Sequence, residues 1–181
     1  MRWKFWWTTM SDKLYFAYGS NINLSQMAYR CPDAKVVEPV VLDGYELLFR
    51  GNGSGCGVAT IKPKIGSQVH GLLWRITPRD ERALDFYEGY PHLYDKQPVN
   101  VTIQSGAEIT VMAYVMTREK ERLPTEPTVG YYEGIREGFR QNGLPVKALE
   151  KALRQCWREV DALAQQKPQR KQKKGRDTYE R

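Results

Sequence analysis

The chain has 181 residues, 41% of them hydrophobic, and a formal net charge of +7. That length suits one domain with a real core, and no apolar run is long enough to cross a membrane as a helix. The charge is local: residues 167–181 carry +5 and residues 1–9 carry +2, so residues 10–166 sum to zero and the body makes no electrostatic appeal to nucleic acid. Three cysteines, Cys31, Cys56 and Cys156, are odd in number and widely spaced, and the two histidines, His70 and His92, complete no ligand set. A structural zinc site is therefore not expected, and the free thiols fit a reducing cytoplasm better than a disulfide scaffold.

Residues 1–9 hold three of the five tryptophans in a pattern too short for a signal peptide. Met10-Ser11-Asp12-Lys13 reads as a more natural start, so residues 1–12 are expected to be an extension outside the fold. Tyr15-Phe16-Ala17-Tyr18 is a strand of mostly aromatic residues, broken by Gly19-Ser20-Asn21. Small residues at a strand end leave backbone N–H groups unpaired, and such groups can hold a carboxylate or a developing oxyanion.

A short helix follows over residues 23–30, with Asn21 or Asn23 as its cap and Cys31-Pro32-Asp33 as its end. Residues 36–41 and 45–49 are β-branched and aromatic runs joined by Asp43-Gly44, which predicts a hairpin. The glycine-rich loop 51–57 precedes strands at 58–61 and 69–76, with a turn at Ile65-Gly66 between them. Thr77-Pro78 opens a helix that Gly89 and Pro91 close, which puts Glu88 at its C-terminal end. There the helix dipole favours the protonated carboxyl.

Strands are predicted at 99–103 and 109–116, helices at 129–139 and 146–163 separated by Gly143-Leu144-Pro145, and a disordered basic tail over 165–181. The sum is an α+β domain, residues 13–164, with about six strands curled or closed into a small barrel and flanked by helices.

Other chemistries fare poorly. Ser20 lacks the context of a nucleophile elbow. Cys56 with His70 suggests a thiol enzyme only weakly, a buried structural thiol being the commoner case. The 51–57 loop lacks the Lys-Ser/Thr ending of a phosphate loop.

Several segments together resemble the γ-glutamylcyclotransferase family of the AIG2-like superfamily. They are Tyr15 to Asn21, Gly57-Val58-Ala59-Thr60-Ile61, Val69-His70-Gly71-Leu72-Leu73-Trp74, Leu84-Asp85 with Glu88-Gly89, Ala113-Tyr114-Val115-Met116-Thr117, and Gly143-Leu144-Pro145. They fall in order across roughly residues 13–155. Ile22 replaces the family's usual leucine.

The resemblance implies a small β-barrel flanked by helices, and release of 5-oxoproline from a γ-glutamyl compound without metal or cofactor. It places the catalytic acid–base on Glu88. Substrate binding falls on Tyr15, Phe16, Ala17, Tyr18, Gly19, Ser20 and Asn21, and on Tyr131, with Tyr132 one position away. The expected partner is a small γ-glutamyl substrate, and a homodimer is compatible with this reading. No membrane partner is expected, and nucleic acid would engage only the tail. Two alternatives stay open: a γ-glutamylamine substrate, and a non-catalytic binding protein that uses the basic tail.

Overall fold

Among the described residues five strands, β1 (Lys13–Ala17), β2 (Lys35–Gly51), β3 (Gly57–Ile76), β4 (Tyr94–Thr102) and β5 (Glu108–Met116), close into a barrel in the order β1-β3-β2-β4-β5, with β5 returning to β1. The computed structural model describes residues 12–52, 54–121 and 123–166. The expectations for residues 1–11 and for residues 167–181 lie outside these, whereas Gln165 and Gln166, expected to begin the disordered tail, are the last residues of a helix.

Strand β1 (Lys13–Ala17) pairs antiparallel with β3 (Gly57–Ile76) along its whole length. Strands β2 (Lys35–Gly51) and β3 form one long antiparallel hairpin whose turn is the glycine-rich loop 51–57. Strands β4 (Tyr94–Thr102) and β5 (Glu108–Met116) form a second. The two groups meet through single register pairs, Tyr15↔Met112 between β1 and β5 and Val41↔Thr102 between β2 and β4. The closed sheet is thus a three-stranded piece and a hairpin joined along two narrow seams. Side chains also tie them: Tyr94 donates to the Ala59 carbonyl at 2.6 Å, Tyr18 donates to the Tyr114 carbonyl, and the Met116 amide donates to Thr60 Oγ1 at 3.2 Å.

The predicted hairpin at Asp43-Gly44 is not a chain reversal. Residues 36–41 and 45–49 belong to one strand, and so do 58–61 and 69–76. Asp43 pairs with Gln68 and Tyr45 with Pro63, so Gly44 alone stands opposite residues 64–67. Gly44 (φ 76°) and Gly66 (φ 75°) adopt left-handed dihedrals there. The irregularity bends a strand pair that would otherwise be too long and flat for a small barrel. These two mergers turn the seven strand segments of the sequence into five strands.

Strand β4 begins at Tyr94, before the predicted start at 99. Pro98 argues against a strand, yet it is harmless here: it pairs with Met112 of β5, and its other flank carries no continuous ladder.

Among the described residues four α-helices cover the barrel. Helix α1 (Leu24–Arg30) is capped by Asn23, whose side chain accepts from the Gln26 amide at 3.1 Å. Helix α2 (Pro78–Glu88) opens with a reciprocal box in which Thr77 and Asp80 satisfy each other's backbone amides. Helices α3 (Val129–Gln141) and α4 (Val146–Gln166) are separated at Gly143-Leu144-Pro145, as the sequence predicts.

The core runs through barrel and helices alike, with Phe16, Phe49, Leu72, Leu84, Ile135 and Leu149 all fully enclosed. Gly71 permits one close approach: a Cβ there would lie 2.3 Å from the Phe16 ring and 2.4 Å from the Ala17 carbonyl oxygen.

Candidate active site

Helix α2 stops where the sequence says it must, and the stop aims a carboxylate. Gly89 takes a left-handed conformation (φ 65°), which lets its amide reach the Phe86 carbonyl and the Tyr90 amide reach the Asp85 carbonyl. Glu88, the last helical residue, is thereby placed on the wall of a cavity of about 260 Å³.

The loop after β1 forms the facing wall. Residues Ser20–Ile22 make one 3₁₀ turn, closed by the Ile22 amide on the Gly19 carbonyl at 3.1 Å. The first N–H groups of such a turn have no partner within it. Among the described residues, the amides of Gly19, Ser20 and Asn21 donate to no protein acceptor.

The back of this loop is clamped. Trp74 Nε1 donates to the Asn21 carbonyl at 3.1 Å, Asn142 Nδ2 donates to the Ile22 carbonyl at 3.0 Å, and Gly138 of α3 comes so near that a Cβ would lie 2.7 Å from the Asn23 nitrogen. Loop geometry is therefore set from outside the loop by a strand, which carries Trp74, and by one helix with its C-cap, which carry Gly138 and Asn142.

A polar chain joins the two walls. Asn21 Nδ2 donates to Glu88 Oε1 at 2.7 Å and to the Tyr15 hydroxyl at 2.9 Å. Arg30 Nη1 donates to Asn21 Oδ1 at 2.7 Å, and Arg30 Nη2 to Gln26 Oε1 at 2.8 Å. The Arg30 guanidinium also stacks 3.7 Å from the centre of the Tyr87 ring, while Tyr87 and Ser20 share a hydrogen bond of 3.0 Å.

Burial pushes the Glu88 carboxyl up to about 7, against the lowering influence of the Asn21 hydrogen bond and the Arg30 charge. The carboxyl thus changes charge near neutral pH, the condition that favours proton transfer in both directions. The Tyr15, Tyr18, Tyr94 and Tyr131 hydroxyls are pushed above the usual phenol range by burial first, and Glu88 adds to the effect. All four are neutral proton carriers.

The structure brings together Tyr15, Tyr18, Gly19, Ser20, Asn21, Tyr131 and Glu88 on one cavity. Phe16 and Ala17, grouped with them on the strand, are fully buried and do not line it. Tyr131 faces the cavity, its hydroxyl accepting from the Ala59 amide at 3.1 Å, whereas Tyr132 packs on Phe49 with ring centres 6.3 Å apart. Asp85, one turn before Glu88, is turned aside and held by the Tyr114 hydroxyl and by Lys96 Nζ at 2.7 Å.

Sequence reasoning missed Arg30, Tyr87, Tyr94 and Tyr114. Tyr87 adjoins Glu88, which was a signal of sorts. Arg30 gave none, because only the fold returns α1 to the end of α2.

Cys56 is half-buried in the β2–β3 loop rather than buried, and His70 contacts Gln68 Nε2 at 3.2 Å, away from that loop. Among the described residues no three His, Cys, Asp or Glu side chains gather to hold a metal ion, and no helix is long and apolar enough to cross a membrane.

A closed barrel that opposes a carboxyl titrating near neutrality to a loop of free amides is the architecture of an enzyme for a small substrate. The chain belongs to the gamma-glutamyl cyclotransferase, AIG2-like family, whose model matches residues 15–134. A curated Homo sapiens protein named gamma-glutamylcyclotransferase is 36% identical to it over 146 residues, 76% of each chain. The Mus musculus protein of the same name is 35% identical over the same shares. A solved structure described as a gamma-glutamyl cyclotransferase is also similar, with a TM-score of 0.69 at 31% identity, covering 78% of this chain and 86% of that one.

Proposed function

We propose that the chain is a γ-glutamyl cyclotransferase that closes a γ-glutamyl amide on its own α-amino group, releasing 5-oxoproline and a free amine, with Glu88 as the acid–base. The observation that carries this reading is the Glu88 carboxyl, titrating at about 7, on the same cavity as the free amides of Gly19 and Ser20.

The uncatalysed cyclisation has two obstacles. The α-amine is protonated at neutral pH, its ordinary pKa being about 8, and the amide nitrogen leaves poorly. Ionised Glu88 takes a proton from the ammonium. The freed nitrogen attacks the γ-carbonyl carbon and a tetrahedral oxyanion forms. The bond to the leaving nitrogen then breaks as Glu88 returns the proton to it; the ring nitrogen, which still carries two hydrogens, passes one by way of Glu88 to the released amine, which departs as an ammonium, and the carboxylate is regenerated. One group serves as base and then acid, an effect worth on the order of 10²–10⁴-fold. The loop amides hold the α-carboxylate, and confinement of the folded-back chain supplies part of the remaining acceleration.

The test is a panel of γ-glutamyl amino acids, peptides and amines assayed for 5-oxoproline by mass spectrometry, with wild type and Glu88→Gln. Release by the wild type and its loss in the variant support the reading and name the substrate class. Undiminished turnover by Glu88→Gln overturns it.

A further inference from the structure

Arg30 fixes a direction for every hydrogen bond around Asn21. A guanidinium can only donate, so the atom of Asn21 that it touches at 2.7 Å must be the carbonyl oxygen. The amide nitrogen therefore faces Glu88 and Tyr15, and it has two hydrogens and no lone pair to offer. One hydrogen goes to Glu88 Oε1 and the other to the Tyr15 hydroxyl oxygen. Tyr15 is thus an acceptor in this contact, and its own proton must go elsewhere.

The other cavity tyrosines divide by the same logic. Tyr18, Tyr94 and Tyr114 spend their protons inside the protein, on the Tyr114 carbonyl, the Ala59 carbonyl and Asp85. Tyr131 accepts from the Ala59 amide, and its proton is uncommitted too. Among the described residues no protein acceptor takes the Tyr15 proton, although the residue is buried. A buried hydroxyl with an unused donor on a cavity wall is a recognition group.

Position separates the two free donors. The two hydrogens of a planar amide diverge, so the Tyr15 hydroxyl and Glu88 Oε1 stand roughly 5 Å apart, and both residues line the cavity. Tyr131 lies instead beside the loop, its hydroxyl 3.6 Å from where a Gly19 Cβ would be.

We propose that the Tyr15 hydroxyl is a catalytic hydrogen-bond donor to the γ-carbonyl oxygen of the substrate, stabilising the oxyanion that forms when the α-amine attacks. Tyr131 and the Gly19–Ser20 amides then hold the α-carboxylate at the other end. Tyr15 forms no covalent bond and transfers no proton outright. Its raised pKa keeps it a phenol throughout the working pH range. Asn21 and Arg30 are positioning residues that orient this donor.

The inference rests on the cyclotransferase reading of the same cavity, and one set of assays separates the two. Tyr15→Phe is expected to lower kcat by about 10²–10³-fold while KM changes no more than a few-fold, the signature of an interaction made only in the transition state. Fluorotyrosines at position 15 keep the shape of the side chain and strengthen the donor, so kcat is expected to follow phenol acidity. They carry the test if the phenylalanine variant folds poorly.

A Tyr15→Phe enzyme with kcat within threefold of wild type overturns the proposal, as does a loss confined to KM or a flat fluorotyrosine series. Wild-type protein that releases no 5-oxoproline from any γ-glutamyl compound sinks both readings. Active wild type beside an unimpaired Tyr15→Phe sinks this one alone.

Discussion

Asn21 Nδ2 meets Glu88 Oε1 at 2.7 Å, tying the loop after β1 to the last residue of α2. This bond stabilises the ionised carboxylate, and burial works against it. In the proposed reaction Glu88 acts as a base in its ionised form, so kcat/KM should rise through about pH 7. Asn21→Ala removes a donor to the charged form, and the rising limb should move to higher pH by about one unit. Arg30→Met, which deletes the neighbouring positive charge, should move it the same way. A pH profile for each variant decides the matter, and a limb unmoved in both would contradict this account of the site.

The same carboxyl makes stability depend on pH. Its folded pKa lies above the ordinary 4.5, so the folded state holds a proton that the unfolded chain has already released. The associated stabilisation is complete below pH 4.5 and is lost as pH rises through about 7. The loss amounts to at most about 3 kcal/mol. Glu88→Gln keeps an acceptor for Asn21 and has nothing to ionise. Urea denaturation at pH 5 and pH 8 should show the wild type falling relative to the variant, and parallel behaviour of the two proteins would count against the raised pKa.

Two glycines should separate fold from function. At Gly71 a Cβ collides with Phe16 and the Ala17 carbonyl at 2.3 and 2.4 Å. Gly71→Ala should therefore cost about 1–3 kcal/mol, or a few degrees in melting temperature per kcal/mol. At Gly19 a Cβ would lie 3.2 Å from Ala59 Cβ and intrude on the cavity, with no left-handed dihedral to strain. Gly19→Ala should melt near the wild-type temperature and lose roughly 10–100-fold in kcat/KM. Thermal melts beside steady-state assays read both effects, and the reverse pattern would show that the roles are exchanged.

Thiol labelling offers a check independent of turnover. Burial pushes Cys31 up to about 12 and Cys156 up to about 11, which leaves almost no thiolate at neutral pH. Cys56 sits half-buried in the β2–β3 loop. Under native conditions a disulfide reagent should modify Cys56 first, with the other two reacting only on unfolding. Peptide mapping that finds fast modification at Cys31 or Cys156 would contradict the packing around them.

What the sequence made legible was local punctuation. Asn23 as a cap, Thr77-Pro78 as a start, Gly89 as a stop and Gly143-Leu144-Pro145 as a divider each act within one turn of helix, and the elements end where those residues say. Asp43-Gly44 carries an equally good local hairpin signal, and it was overridden. Pairing continues on the far side of the bend because β3 runs alongside β2 through both halves, and that is a tertiary fact. The γ-glutamylcyclotransferase resemblance picked out Glu88 and the loop, whereas the tyrosines of β4 and β5 converge on the cavity only once the barrel closes. Arg30 belongs to the same class, since no spacing along the chain says that its guanidinium will orient an amide nine positions earlier.

The two seams of the barrel have a thermal consequence. Tyr15, at the lone rung between β1 and β5, and Tyr18, a cross-strand tie, belong to the three-stranded piece, while Tyr94 and Tyr114 belong to the hairpin. The cavity proposed as the active site straddles the joint with the fewest backbone ties. Warming should part these halves before either unravels, so turnover would fade at temperatures where circular dichroism still reports an intact protein.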